Sequence, residues 1–265
     1  MIARTRLIAR DDVRDALLAA GVLDGAPIER WGTAVGEARG GRRPIPAVAV
    51  PGAPFPLLVK SLRRGGVLGP LLRRAARVDR AFAEILVVES LRRAGVATPP
   101  IVAARLTRLF PASPWVSIEL VTPYHPDATD LAAALSTRPV GRARTALLAA
   151  AGAAVRALHA HVVHEDLNLR NLLVRGDGAV EVLDLGDSRI RPARGPSAAR
   201  NLARLYRSAA KLGFAPTDRV GPDVVRFARA YAPAGWKEVV RAASVTFRRG
   251  LPLHRLSWRL QGRRP

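Results

Sequence analysis

The segment HEDLNLRNLLV, residues 164–174, contains the side chains of this sequence that are best suited to chemistry. Asp166 stands two residues after His164, and Asn171 follows five residues after that aspartate. A second aspartate, Asp184, ends the apolar run VEVLD farther along the chain. Carboxylate and amide oxygens are ligands for hard cations such as Mg²⁺, and a carboxylate can also accept a proton from a hydroxyl group. These two segments therefore indicate a site for metal-assisted transfer of a phosphoryl group.

The spacing of these residues assigns a chemical role to each of them. His-x-Asp-Leu-x-x-x-Asn is the pattern of a kinase catalytic loop, in which the aspartate takes the hydroxyl proton and the asparagine binds the metal. Asp166 is therefore the expected catalytic base, and Asn171 and Asp184 are the expected Mg²⁺ ligands. Gly186 follows Asp184 as the glycine follows the aspartate in the Asp-Phe-Gly element of kinases. Solvated loop residues are the alternative interpretation, and the coupling of the loop to this second segment favours catalysis.

A phosphoryl-transfer site also needs a cation on the phosphates, and Lys60 is the candidate. It ends the apolar run PFPLLVK, as the phosphate-binding lysine ends a strand in kinases, and all but three of the 43 basic residues are Arg. A lysine retained against that bias indicates that the planar guanidinium would not substitute for it. The next predicted helix offers Glu84 and Glu89 as partners for this lysine. Val88 and Leu91 share a helix face with Glu84, which favours Glu84 as the inward-facing partner.

Three histidines and a run of glycines give weaker indications of a metal site and a phosphate-binding loop. His159, His161 and His164 lie close together in the sequence. Packing of His159 against the loop and a structural His164 beside Asp166 are favoured over a metal cluster. Glycines recur between residues 32 and 41 without spelling the kinase phosphate-loop pattern G-x-G-x-x-G, so an ordinary turn and a phosphate-covering loop both stay open.

Hydrophobic periodicity predicts a chain of two lobes, a β-rich one followed by a mostly helical one. The first part has strand-like runs bounded by Gly and Pro, a short capped helix at residues 11–20, and a helix with Asp79 as its N-cap and Gly95 as its stop. The predicted elements of the second part are helices at 130–136, 142–160, 197–211, 221–231 and 236–243 and two strands, NLLVR and AVEVLD. The expected divisions are an N-lobe at residues 1–121, a helical C-lobe at 122–245 and a basic tail at 246–265, with the hinge at Val121–Tyr124.

Composition restricts the class of protein. With 265 residues and 49% hydrophobic composition, the chain is long enough to bury a core, and the absence of cysteine excludes disulfides and thiolate metal sites. Asp11 and Asp12 interrupt any signal-peptide core, and the apolar run at residues 146–155 is too short to cross a bilayer, so a soluble or peripheral protein is expected. A formal charge of +22 favours partners that carry phosphate or anionic lipid.

The ordered motifs resemble the lipopolysaccharide core kinases, the Kdo kinase and heptose kinase group, which have a protein-kinase-like fold. The resemblance runs from about Gly36 to Tyr231. VKSLRRGG is similar to the family's third-strand segment, and RAFAEILVVESLRRAGVATPP resembles its Arg-x-x-x-Glu helix, which supports Glu84. LHAHVVHEDLNLRNLLV resembles the catalytic loop, and NLARLYRSAAK resembles the distinctive helix that follows the metal-binding aspartate. Where the family spells Asp-Phe-Asp at the metal segment, Leu185 and Gly186 follow the aspartate here.

This resemblance implies an α+β, bilobal, protein-kinase-like fold, with a small β-rich N-lobe that holds one key helix and a mostly helical C-lobe. It implies an enzyme that uses ATP and Mg²⁺ to phosphorylate an alcohol group, a hydroxyl of Kdo or heptose in the inner core attached to lipid A. The expected site residues are Asp166, Lys60 and Asn171 for catalysis; Lys60, Glu84, Glu119 and Val121 for the nucleotide; Asn171 and Asp184 for the metal; and Arg63, Arg64, Asn168 and Arg170 for the substrate.

The same resemblance implies a protein at the cytoplasmic face of the inner membrane of a Gram-negative bacterium. The segment at residues 236–265 carries eight basic residues and one acidic residue among aromatic and leucine side chains, a mixture that suits a lipid headgroup boundary. The alternative is that these apolar residues pack on the helical lobe. Pro252 is expected to interrupt any single helix in this segment.

Three alternative functions stay open at this point. A kinase of the same fold with an antibiotic or another small sugar as acceptor would resemble the aminoglycoside phosphotransferases, but a site for cationic drugs would be acidic, against the +22 charge. A catalytically silent kinase fold that binds lipid or protein is disfavoured by the intact set of site residues. Nucleic-acid binding is not expected, because few aromatics are interleaved with the basic residues and no nucleic-acid motif is present.

Overall fold

A computed structural model describes residues 5–40, 43–62, 76–108 and 115–260 of the chain. The chain divides into two compact units, of which unit 1 comprises Met1–Glu89 and Pro99–Pro126, and unit 2 comprises Ser90–Thr98 and Asp127–Pro265. Unit 1 is built on a β-sheet and unit 2 is mostly helical, in agreement with the α+β prediction. The divisions expected at residues 121 and 245 stay predictions.

Unit 1 contains a seven-stranded antiparallel sheet. Its strands are β1 (Thr5–Ala9), β2 (Thr33–Gly40), β3 (Arg43–Ala49), β4 (Leu57–Ser61), β5 (Ala76–Arg77), β6 (Ala103–Arg108) and β7 (Trp115–Pro123). Their order is β1-β6-β7-β4-β3-β2, and β5 pairs with β7. The strand-like runs of the sequence correspond to β3, β4, β6 and β7. Strands β1 and β2 were not predicted from the sequence. The pairing of β1 depends on the distant β6, whereas β2 pairs with the adjacent β3 and its glycines and charged residues weaken the strand signal.

Two apolar clusters cover opposite faces of this sheet, because successive strand residues point to opposite sides. Leu57 and Val59 of β4 belong to one cluster, to which the helix α1 (Asp11–Ala19) adds Leu17. Leu62, just beyond β4, belongs to the other cluster, where Ile85 of the next helix packs. The alternation therefore assigns Lys60 to the same face as Leu62, the face on which this helix lies.

The ends of the helices partly match the predicted signals. The second helix, α2, spans Val78–Arg93, so Asp79 lies in its first turn and not at the N-cap. Gly95 ends the helix as predicted: its φ is 76°, and the N–H of Val96 bonds the carbonyl oxygen of Leu91, a left-handed closure that favours glycine. The cap expected for α1 is absent, because Arg10 occupies the N-cap position and makes no side-chain capping bond.

Unit 2 combines helices with five short strands. The helices are α3 (Leu131–Thr137), α4 (Arg142–His159), α5 (Pro196–Lys211), α6 (Pro222–Tyr231) and α7 (Trp236–Leu260). The strands are β8 (Thr129–Asp130), β9 (Val162–Val163), β10 (Leu172–Val174), β11 (Val180–Val182) and β12 (Arg189–Ile190), with β10 pairing both β8 and β11 and β12 pairing β9. Helices α3 to α6 agree with the predicted ones, and Asp130 caps α3 by accepting a hydrogen bond from the N–H of Ala133 at 2.8 Å.

The last helix corrects one prediction. The sequence predicted a helix at residues 236–243 and no single helix across Pro252, whereas α7 continues to Leu260. A proline inside a helix removes one backbone hydrogen bond and favours a kink, and the remaining bonds of a long helix allow it to continue. The first half of α7 is anchored by Phe247, which is 3% exposed and packs edge-on against Tyr206. Among the described helices, none combines the length and apolarity needed to cross a membrane.

Candidate active site

The first part of the predicted site, Lys60 and Glu84, is assembled within unit 1. The Nζ atom of Lys60 lies 3.7 Å from a carboxylate oxygen of Glu84, and Glu84 is only 6% exposed. Val88 and Leu91 are buried on the same face of α2, as the helical spacing predicted, whereas Glu89 is less buried. A lysine beside a buried carboxylate is held in one position, which suits a cation that has to contact phosphate.

The second part of the site is the loop between β9 and β10 in unit 2, which His164 organises from inside. His164 is fully buried, and its Nδ1 accepts a hydrogen bond from the backbone N–H of Asp166 at 3.1 Å. The Nε2 atom therefore carries the proton and donates it to the carbonyl oxygen of Leu183 at 2.9 Å. Burial lowers the pKa of His164 from its ordinary value of 6.5, so the ring stays neutral and structural.

Asp166 itself is exposed, and two asparagines fix its position. The Asn168 amide donates to the Asp166 carbonyl oxygen at 3.0 Å and to its carboxylate Oδ2 at 3.2 Å. The Asn171 amide donates to the same carbonyl oxygen at 2.8 Å. With its NH₂ group committed in this way, Asn171 presents the Oδ1 atom for a cation. An accessible, oriented carboxylate is what a base for a substrate hydroxyl requires.

Asp184 follows β11 and has an unusual backbone. Its φ is 59°, and it is the one non-glycine residue with a positive φ in the described part of the chain. Such left-handed conformations cost free energy and cluster at functional sites, where the surrounding structure enforces them. Leu185 is 1% exposed and anchors the next position, while the N–H of Leu183 bonds the carbonyl oxygen of Asn171 at 2.9 Å. This bond ties the Asp184 segment directly to the catalytic loop.

The donor set of Asn171 and Asp184 fits Mg²⁺, a hard cation that proteins hold through one or two carboxylates and that completes its shell with phosphate oxygens and water. Within the described residues, no three His, Asp or Glu side chains gather into a metal site by themselves. Of the three histidines close together in the sequence, His159 and His164 are buried and His161 is exposed.

The helix α5 supports the loop through a residue that sequence reasoning did not single out, Asn201. Its Oδ1 accepts hydrogen bonds from the backbone N–H of His164 at 3.0 Å and from the ring of His159 at 3.3 Å. The other ring nitrogen of His159 bonds the hydroxyl of Tyr231 at 2.8 Å. Burial lowers the pKa of His159 to about 4. The resemblance of the segment NLARLYRSAAK was the one signal that could have indicated Asn201.

The other residues predicted to bind the nucleotide or the substrate are partly buried, partly exposed and partly outside the described residues. Glu119 is 9% exposed and forms a bidentate ion pair with Arg105, one bond of which measures 3.0 Å, and Val121 is fully buried in β7. Their contact with a nucleotide stays a prediction. Arg170 is exposed on the 3₁₀ turn Leu169–Asn171. Arg63 and Arg64 lie outside the described residues, as does the tip, residues 41–42, of the glycine-containing hairpin of β2 and β3.

Comparison with known proteins matches the chain to a protein family and to solved structures. A family model described as the lipopolysaccharide kinase (Kdo/WaaP) family matches residues 33–231. A solved structure titled "WaaP in complex with acyl carrier protein" resembles the chain with a TM-score of 0.59 and 24% sequence identity, covering 94% of this chain and 99% of that one. A search of curated protein sequences finds no significant match.

Proposed function

The chain belongs to the lipopolysaccharide kinase (Kdo/WaaP) family, and from this premise we propose that it transfers the γ-phosphate of ATP to a hydroxyl of Kdo or heptose in the inner core attached to lipid A. Membership makes the chain a kinase that acts on lipopolysaccharide. The use of ATP with Mg²⁺, the sugar that is phosphorylated and the position at the cytoplasmic face of the inner membrane belong to the proposal.

The observation that carries the proposal is the hydrogen-bonded loop in which Asp166, Asn171 and Asp184 are fixed through His164 and Leu183. A solvated loop would not need a fully buried histidine or a left-handed aspartate. In the proposed reaction, Asp166 accepts the proton of the acceptor hydroxyl as the hydroxyl oxygen bonds to the γ-phosphorus and ADP leaves. Lys60, oriented by Glu84, contacts the phosphates of the nucleotide. Mg²⁺, held by Asn171 and Asp184, would neutralise charge on the phosphates.

The segment after Asp184 favours a small acceptor over a peptide. Only a short loop with β12 separates this aspartate from α5, which begins at Pro196, so a long activation segment of the protein-kinase type has no place there. The strong positive charge of the chain, +22, favours an acceptor rich in phosphate and carboxylate over a cationic drug. A peripheral location on an anionic membrane follows from the same charge as part of the proposal.

The test is transfer of labelled phosphate from ATP to detergent-dispersed core–lipid A, with the product identified by mass spectrometry. The wild-type protein is expected to add one phosphate in the presence of Mg²⁺. Asp166→Asn and Asp184→Asn each reduce turnover by at least about 10²-fold with the fold unchanged, because they remove the base and a metal ligand.

Asp218→Asn, which removes an exposed carboxylate far along the chain from the loop, serves as the matched control and is expected to keep wild-type turnover. Absence of transfer by the wild-type protein would refute the proposed reaction. Near-wild-type turnover of either loop variant would refute the role of that residue. Transfer to an aminoglycoside but not to core–lipid A would instead support a drug kinase.

A further inference from the structure

The helix α5 (Pro196–Lys211) carries all its charge on one side. Arg200, Arg204, Arg207 and Lys211 follow each other at intervals of three or four residues, so they share one face, and the helix contains no acidic residue. We call these four residues the α5 basic stripe. Like charges at this spacing repel and destabilise a helix, and a solvated helix face usually alternates the sign of its charges. The helix itself therefore gives no reason for the stripe.

The stripe runs beside the catalytic loop because the neighbouring face of α5 binds that loop. Asn201, next to Arg200 in the sequence, accepts the N–H of His164 at 3.0 Å. One turn from Arg204, Ser208 accepts the N–H of Leu169 at 3.3 Å. The two contacts bracket Arg204 and Arg207 along the helix.

Arg204 contacts a carboxylate of the loop directly, and Arg207 interacts with another through its charge. An Nη atom of Arg204 lies 3.7 Å from a carboxylate oxygen of Glu165, which also pairs with Arg189 at 3.0 Å. The pKa of Arg207 is lowered first by burial and then by repulsion from Arg204, while the charge of Asp166 opposes this shift. Arg207 is therefore close enough to both residues for their charges to matter.

Charged side chains of both signs meet around the base. Glu165 and Asp166 carry negative charge on the loop, the charge of Asp184 acts on the same loop, and Arg204 and Arg207 carry positive charge beside it. Arg204 and Arg207 are only partly exposed, and the side chain of Arg204 retains 39% of its accessible surface. A general preference for Arg in this chain explains exposed arginines, but it does not explain mutually repelling ones that are partly buried beside a catalytic carboxylate.

Resting on the proposed function, we propose that Arg204 and Arg207 form a recognition site for an anionic group, a phosphate or a carboxylate, of the sugar acceptor. The guanidinium group presents a planar fork of donors that matches either anion in a bidentate manner. An anion bound there offsets the repulsion between the two arginines. It also holds the acceptor with a hydroxyl near Asp166, so the two arginines select acidic sugars over neutral ones.

The experiment measures steady-state kinetics of the full-length protein on detergent-dispersed core–lipid A, either intact or chemically dephosphorylated. The variants are Arg204→Gln and Arg207→Gln, with the corresponding lysine variants to retain the charge if a glutamine variant unfolds. Arg142→Gln, at the exposed start of α4, is the charge-matched control. The KM for the intact acceptor is expected to rise about tenfold in the glutamine variants, as for the loss of one charge-assisted hydrogen bond, with the KM for ATP unchanged.

The two acceptors distinguish the sources of the anion. If phosphate is bound, the wild-type protein prefers the intact acceptor and the glutamine variants lose this preference. If carboxylate is bound, the glutamine variants are weakened by the same factor on both acceptors. An acceptor KM that matches the Arg142→Gln control, or a loss confined to kcat, would overturn the proposal.

A second measurement separates this inference from the proposed reaction. Acceptor binding is titrated without ATP, so it needs no turnover. If the wild-type protein transfers no phosphate, the proposed function fails, and the titration still decides the inference. Weaker binding by Arg204→Gln and Arg207→Gln than by the wild-type protein supports an anion site, whereas equal binding excludes it.

Discussion

At the scale of single residues, the catalytic loop is held by neutral hydrogen bonds around charged groups. His164 uses one ring nitrogen as acceptor and the other as donor, so protonation would break its bond to the Asp166 backbone. Asn171 commits its NH₂ group to the same residue. The position of Asp166 is thus fixed by amide and imidazole groups that are neutral.

The first residue-scale prediction concerns Lys60. Lys60→Arg is expected to lower kcat/KM on the order of 10²-fold, nearly as much as Lys60→Ala, because a planar guanidinium cannot replace a compact ammonium beside Glu84. Thermal unfolding should change only modestly, since the side chain is 33% exposed. Steady-state kinetics with ATP check this, with the exposed Lys237→Arg as control. A fully active Lys60→Arg enzyme would show that Lys60 is an ordinary surface residue.

The second residue-scale prediction is a pH dependence of stability. The pKa of His159 is about 4 in the folded protein against 6.5 ordinarily, because burial disfavours the charged ring. As pH falls from 6.5 to 4, the unfolded chain binds a proton that the folded chain does not, so stability falls, by about 3 kcal/mol in total. The pKa of His164 is lowered as well and acts in the same direction.

Denaturant unfolding between pH 7 and pH 4 measures this effect. His159→Gln should reduce the slope of stability against pH, whereas His161→Gln, at an exposed position, should leave it unchanged. An identical slope in wild-type protein and His159→Gln would contradict the burial of a neutral ring.

At the scale of elements, unit 2 depends on close helix packing where small residues permit it. Gly152 in the middle of α4 faces α6, and a Cβ atom at this position would overlap the carbonyl oxygen of Phe227 and meet the Cβ of Ala230 at 3.0 Å. Backbone atoms cannot move aside as a flexible side chain does. The glycine therefore sets the distance between these two helices, and α4 leads into β9 and the catalytic loop.

The element-scale prediction reverses the usual effect of helix propensity. Gly152→Ala would stabilise an isolated helix by about 1 kcal/mol, but here overpacking should destabilise the protein by roughly 1–3 kcal/mol. Ala146→Gly, at an exposed position of the same helix, should cost about 1 kcal/mol through propensity alone and serves as the reference. Thermal unfolding of both variants checks the prediction, and a stabilised Gly152→Ala protein would exclude the close helix contact.

At the scale of the whole molecule, charge is the dominant property. The chain carries +22, and α7 combines basic residues with a packed apolar anchor, Phe247, in its first half. Residues 251–265 follow this anchor and add four arginines, Arg255, Arg259, Arg263 and Arg264. Each basic residue near an anionic membrane contributes roughly 1 kcal/mol, which salt weakens.

The whole-molecule prediction is that truncation after Gly250 reduces sedimentation with anionic lipid vesicles and spares activity on a detergent-dispersed acceptor. Phe247 remains in place in the truncated protein, so the fold should be retained. Binding of the full chain should weaken as salt increases, and neutral vesicles provide the control. Unchanged vesicle binding, or an unfolded truncation product, would favour packing of this segment on unit 2.

The sequence by itself predicted the residues of the candidate site and much of the secondary structure. The spacing of Asp166 and Asn171 and the placement of Asp184 after a strand are local patterns, and such patterns can be recognised without a structure. The pairing of Lys60 with Glu84 also followed from the sequence, because strand alternation and helical periodicity assign each side chain to a face. The end of α2 at Gly95 was also predicted from a local signal, because the left-handed conformation that closes a helix favours glycine.

Tertiary structure alone decided the features that join distant segments. Asn201 meets His164 across 37 residues of chain, and β1 pairs with β6 across nearly a hundred, contacts that no local propensity encodes. The left-handed backbone of Asp184 is imposed by its surroundings, not by its side chain. The approach of Arg204 and Arg207 to the catalytic loop likewise results from the packing of α5, because the sequence shows which helix face is basic but not what that face lies against.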